Sequence, residues 1–158
     1  MEETDEGRLT AFGHQLIEVH LWLREELAAL RETLDGGGAR PRELRAHCLS
    51  FCSAVTRHHT GEDGDAFGEI AERFPDLRPV LDELRRDHRL VEDSLNRLEE
   101  LLDAVDADPT VVRRELDSLA ALMETHFVYE EKRIVEALNA LDVPRWRHVR
   151  PAFLAVGD

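Results

Sequence analysis

Two pairs of side chains spaced four residues apart, His58 with Glu62 and His126 with Glu130, each place an imidazole and a carboxylate one above the other on a helix face. Two single histidines, His20 and His88, interrupt stretches that are otherwise apolar at the same spacing. Neutral imidazole nitrogens and ionised carboxylates are metal donors. At buried positions they need such a role, because an unpaired carboxylate there costs several kcal/mol and an imidazole loses its hydrogen bonds to water. A metal ion is the simplest compensation.

The elements that must position these groups follow from the apolar rhythm. From about Thr10 to Leu34 one helix carries Leu16, His20, Leu23, Leu27, Leu30 and Leu34, alternating steps of four and three that mark a bundle seam. Asp35-Gly36-Gly37-Gly38 ends it, and Pro41 suits the first turn of the second helix. That helix carries Leu44, Cys48, Phe51, Val55, His58 and Glu62. Gly61 and Gly64 loosen its last turn, and Asp65 to Phe74 forms a short helical connector before Pro75. The third helix starts near Asp76, tolerates Pro79 in its first turn, and runs Leu77, Leu81, Leu84, His88, Val91, Leu95, Leu98, Leu102. Asp106 to Asp108 makes a loop. Pro109 opens the fourth helix, which runs to about Leu141 with Val112, Leu116, Leu119, Met123, His126 and Glu130 on its seam.

Four helices with short or moderate connections predict an all-α, up-down-up-down four-helix bundle. At a rise of ~1.5 Å per residue, His20 and His58 both lie roughly 21–26 Å from the turn joining their helices. His88 and His126 are level by the same count, so one layer of the bundle can hold all four histidines together with Glu62 and Glu130.

With 158 residues the chain reads as a single domain, the bundle at about 10–141 and a tail at 142–158. The net charge of −14 argues against nucleic acid or an anionic membrane as partner. An acidic start and the lack of any apolar run near eighteen residues predict no signal peptide and no membrane span, hence a cytoplasmic protein. Cys48 and Cys52, the two cysteines present, read as reduced core thiols. In the tail, Trp146 and Phe153 are expected to cover one end of the bundle; the alternative is a partner- or dimer-contacting patch, giving a monomer or a homodimer.

Six donors exceed what one structural zinc takes, and mixed imidazole and carboxylate donors suit a pair of irons or manganese ions. The order His20, His58-x-x-x-Glu62, His88, His126-x-x-x-Glu130 resembles that of the hemerythrin-like, or HHE cation-binding, proteins over roughly Thr10 to Leu141. The resemblance implies two iron ions bridged by an oxo or hydroxo group, reacting with dioxygen, peroxide or nitric oxide in a sensor, scavenger or oxidising enzyme. It also implies that His20 and His58 bind one iron, His88 and His126 the other, and that Glu62 and Glu130 bridge them. Two positions depart from the oxygen-carrying members: their further histidine one turn before the third-helix ligand is Leu84 here, and their fourth-helix carboxylate lies five residues after its histidine, the position of Glu131 rather than Glu130. Leu84 would leave open positions on both metals and favour reaction over reversible oxygen binding or iron storage, which stands as the alternative. A ferritin-like site needs Glu-x-x-His, which does not occur.

The remaining histidines, His14, His47, His59 and His148, fall off the seams and read as solvated or flanking residues; His59 becomes an extra ligand only if the second helix rotates. Tyr129 is expected to pack in the core rather than ligate. Glu92 is a candidate to orient His88 from outside.

Overall fold

The computed structural model describes residues 11–35, 41–104 and 108–157. Every regular element among them is helical: α1 (Phe12–Asp35), α2 (Pro41–Gly61), a π-helical turn (Glu62–Ala66), α3 (Phe67–Arg73), a 3-10 turn (Pro75–Leu77), α4 (Arg78–Asp103), α5 (Pro109–Ala140), α6 (Pro144–His148) and a final 3-10 turn (Ala152–Leu154). The expected stop at Gly36 to Gly38, the helix start at Thr10 and the loop residue Asp106 lie outside the described residues. Pro109 does open α5, where the Asp108 side chain accepts a hydrogen bond from the Thr110 amide at 2.9 Å and caps the first turn.

The long helices pack as neighbours, α1 against α2 and α5, and α4 against α2 and α5. Their seams fill two apolar clusters. One gathers Leu23, Leu27, Phe51, Val55, Val91 and Met123 with their neighbours; the other gathers Leu16, Phe67, Leu81, Leu84, Ile134 and Phe153. On every long helix the polar seam residues fall between a member of one cluster and a member of the other, so the histidines and glutamates form a layer sandwiched by apolar packing. Cys48 and Cys52 are free and buried in the first cluster, where burial pushes both thiols up to about 12, as reduced core thiols should behave.

The structure refines two sequence expectations. The expected short helical connector is present as α3, joined to α2 through the π turn, which inserts one extra residue into the seam. Regular spacing would bury residues 65 and 69; the buried residues are instead Ala66, Phe67 and Ile70, which the shift turns into the second cluster. The tail, second, packs its aromatics on the bundle as expected. Trp146, Phe153 and Leu154 are buried in the same cluster; the Trp146 indole donates to Asp65 Oδ2 at 2.9 Å, and Arg145 pairs with Asp65 and Glu69. These aromatics are thus spent on the chain's own bundle.

α1 and α5 approach closely because Gly13 has no side chain. A Cβ there would stand 2.3 Å from the Val135 carbonyl oxygen and 2.8 Å from Asn139 Oδ1. Gly68 on α3 has nothing within 4 Å of the equivalent point. Gly13→Ala should therefore destabilise the fold by about 1–3 kcal/mol through forced separation of the helices, whereas Gly68→Ala should stabilise it by ~0.5–1 kcal/mol through helix propensity. Urea titrations of the two variants check both signs.

Candidate metal centre

The seam residues meet as their spacing predicts. α1 supplies His20, α2 supplies His58, the first residue of the π turn is Glu62, α4 supplies His88, and α5 supplies His126 and Glu130. All are buried, at most 4% exposed. His20 Nε2 lies 3.1 Å from Glu130 Oε1 and 3.2 Å from His58 Nε2. His126 Nε2 lies 3.2 Å from Glu130 Oε2, the other oxygen of the same carboxylate. Glu62 Oε1 faces His58 Nε2 at 3.4 Å and His88 Nε2 at 3.2 Å. Each glutamate thus touches histidines from two sides of the bundle.

The outer nitrogens of the four rings decide what the inner ones can do. His20 Nδ1 donates to Glu131 Oε2 at 2.8 Å, His58 Nδ1 to the Phe153 carbonyl at 2.6 Å, His88 Nδ1 to Asp63 Oδ1 at 2.8 Å and His126 Nδ1 to Asp87 Oδ2 at 3.0 Å. Ionised carboxylates and a carbonyl can only accept, so each Nδ1 carries the hydrogen and each neutral ring turns a bare Nε2 lone pair inward. Lone pairs then face carboxylate oxygens, acceptor against acceptor. Glu62 and Glu130 have no hydrogen-bond partner on either oxygen, and the Nε2 atoms of His88 and His126 have none. A layer of buried acceptors at contact distance is stable only with positive charge among them.

In the metal-free chain protons supply that charge. Burial opposes the cation at His20 and His126, but Glu130, joined at His20 by Glu131, outweighs it and raises both imidazoles above their ordinary value. His88 is raised to about 12 by Asp63, Glu130 and Glu62, again against the effect of burial. Burial together with the neighbouring His20 pushes His58 down to about 3. The two carboxylates part company: burial, then the charge of Glu130, drives Glu62 well above the usual carboxylate range. For Glu130 burial is overcome by His126, His20 and His88, which hold it well below that range.

Several side residues lie elsewhere than the sequence suggested. His59 is buried, 6% exposed, with its ring stacked on His88 at 3.8 Å between centroids and its Nε2 unpartnered; the reading of it as a solvated residue is wrong. Consecutive residues on a helix point about 100° apart, and α2 sits between α1 and α4, so His58 reaches His20 while His59 reaches His88 and His126. Glu131 is turned away from the layer; it holds His20 from outside and pairs with Arg24 at 3.2 Å. The partner of His88 is Asp63, not Glu92. Tyr129 is only partly buried, and its hydroxyl donates to Glu83 at 2.5 Å. His14 and His148 are exposed and His47 is partly buried, facing Glu26 at 3.9 Å. The Phe153 carbonyl could not have been found by residue type, since any residue brings one; Asp63 and Asp87 could have been, because each stands one residue before or after a ligand candidate or its i+4 partner.

Two overlapping sets of ligand atoms are each grouped within 4.8 Å: His59, Glu62, His88 and His126, and His20, His58, Glu62 and Glu130. The residues therefore fit a metal centre, with imidazole and carboxylate donors of the kind borne by iron, manganese and zinc sites. No curated protein and no solved structure matches the chain significantly. A family model, the hemerythrin HHE cation binding domain, matches residues 12–138 and so contains every one of these donors. The chain belongs to the hemerythrin HHE cation-binding domain family.

Proposed function

We propose that the chain is a non-haem di-iron protein that binds and reacts with dioxygen, peroxide or nitric oxide as a sensor, scavenger or oxidising enzyme. His20 and His58 hold one iron, His88 and His126 the other, and Glu62 and Glu130 bridge them. The observation that carries this reading is the set of outward Nδ1 hydrogen bonds, which leaves Nε2 lone pairs and unpartnered carboxylate oxygens pointed at one another. When bound, an iron pair supplies electrons and coordination positions for a small oxidant.

The protein's own part is positioning and exclusion. The acceptors on the outer nitrogens fix each ring's tautomer and angle. Phe127, stacked on His20 at 3.9 Å, and Phe67, stacked on His88 at 5.6 Å, wall the layer against water. A cleft of about 80 Å³ between α2 and α4, lined by Thr56, Thr60, Asp63, Arg89 and Glu92, leads to His59 and His88 and suits a molecule of a few atoms. We also infer that the long helices alternate in direction. Along α1 and α4 the seam passes from the second apolar cluster through the polar layer to the first, and along α2 and α5 it passes the other way.

The experiment that tests the reading is anaerobic loading with ferrous iron, followed by iron analysis and absorption spectra before and after peroxide. Two irons per chain and a near-ultraviolet spectrum that changes with peroxide are expected; His126→Ala should fail to retain two irons. Two irons with no spectral response or consumption of peroxide would favour reversible binding or storage instead.

Two further outcomes follow from the layer. Asp87→Ala, which removes the acceptor on His126 Nδ1, should weaken iron binding by roughly 10–100-fold, while Tyr129→Phe, whose hydroxyl serves Glu83, should leave it unchanged; chelator competition measures both. Iron must displace protons from His20, His88 and His126, all raised in the metal-free chain. A raised imidazole holds its proton to higher pH than a free one, so apparent affinity should rise with pH and protons should be released on binding. Calorimetry in buffers of different ionisation enthalpy reads that release.

A further inference from the structure

We propose that His59 is a third imidazole ligand at the metal position of His88 and His126, so that the two metals are held unequally. This rests on the di-iron reading above and deepens it. The assignment starts from burial: His59 is 6% exposed, yet its Nε2 has no hydrogen-bond partner. A histidine kept for packing would lose the hydrogen bond of its Nε2 for nothing in return, and a leucine would fill the same space at lower cost. His59 has, besides, no carboxylate of its own to hold a proton.

Geometry supplies the second argument. Ligand atoms of His59, Glu62, His88 and His126 fall within 4.8 Å of one another without help from His20 or His58. His59 stacks on His88 with the rings 11° from parallel and meets His126 edge-on at 83°. Adjacent residues of α2 thereby serve opposite sides of the layer: His58 faces the position of His20, His59 that of His88 and His126. Glu62 belongs to both sets, and Glu130 presents one oxygen to His20 and the other to His126. The position on the α4 side then has three imidazoles and that on the α1 side two. His59 also lines the cleft between α2 and α4, so the more fully ligated metal is the one nearer that opening.

The test loads the parent chain, His59→Ala and the bulkier His59→Gln with ferrous iron under anaerobic conditions, then competes the metal off with a chromogenic ferrous chelator, with His14→Ala as the exposed control. The parent should hold two irons. Both His59 variants should keep one, with the second weakened at least about tenfold, and free imidazole should restore it in His59→Ala by entering the space left by the ring. Circular dichroism of the metal-free variants verifies their helicity, and His59→Gln carries the test if His59→Ala does not fold. Two irons in every variant, held as tightly as in the parent, would overturn the assignment and leave the di-iron reading intact. Loss of both irons from folded variants, unrelieved by imidazole, would overturn it as well, because His59 would then support the whole layer rather than one position. A parent chain that takes up no iron removes the di-iron reading itself, and the proposal with it.

Discussion

Acceptor facing acceptor in a dry layer is the interaction on which the rest of this structure depends. Four imidazoles spend their Nδ1 hydrogens outward, and the atoms left inside are lone pairs and carboxylate oxygens with nothing to receive. Such an arrangement repels itself unless protons or metal ions stand between the groups. Protons do so incompletely: the facing carboxylates raise three imidazoles, yet His58 and His59 are driven down and Glu62 is pushed toward its acid form. The uneven result is what a set of donors shaped for doubly charged cations should give when only single charges fill it.

Everything around the layer keeps those lone pairs aimed. Apolar clusters above and below prevent the helices from sliding to relieve the repulsion, and each outer acceptor comes from a different part of the chain: Glu131 on α5, Phe153 in the tail, Asp63 in the π turn and Asp87 on α4. The π turn connects two of these functions. By beginning at Glu62 it lets one helical stretch offer His58, His59, Glu62 and Asp63 to the layer, then rotates the following residues so that Phe67 and Ile70 return to the core. The Gly61 backbone lies against Phe153, where a Cβ would approach the amide nitrogen to 2.8 Å, and this closeness brings the Phe153 carbonyl within reach of His58.

The six seam donors and the four long helices were legible because the signal is periodic. A polar residue that replaces leucine at a seam position is visible in one dimension, and matched distances from the turns put the replacements at one height. His59 was not legible in that way, since it lies one residue off the seam, and off-seam histidines elsewhere, such as His14 and His148, are indeed exposed. What separates them is depth: close to the middle of the bundle, α2 has neighbours on two sides, and a residue 100° from the seam still points into protein. What Asp63 and Glu131 serve was not legible for a related reason. Each is adjacent to a seam glutamate, and which neighbour its side chain serves depends on the phase of the helix at that turn, which the π insertion changes after Glu62.

The count of imidazoles bears on what a small oxidant would meet. On the proposed di-iron reading, the seams alone would give each metal two imidazoles, and Leu84, buried at the position where the oxygen carriers have another histidine, would leave both metals equally open. If His59 ligates, the α4 side regains a third nitrogen from a different helix, and the open positions concentrate at the metal held by His20 and His58. His20 and His58 are backed by Phe127, stacked on His20, and by the Phe153 carbonyl on the outer nitrogen of His58, whereas the α2–α4 cleft is lined by His59 and His88. A ligand bound for the His20 and His58 side would then have to pass His59 from the cleft or enter by the groove between α1 and α5, where Arg24, Arg31, Met123 and Phe127 border a space of about 260 Å³. Arg24 borders that groove over the Phe127 ring while pairing with Glu131, the acceptor for His20, so motion of this one side chain would be felt both at the groove and at the imidazole behind it.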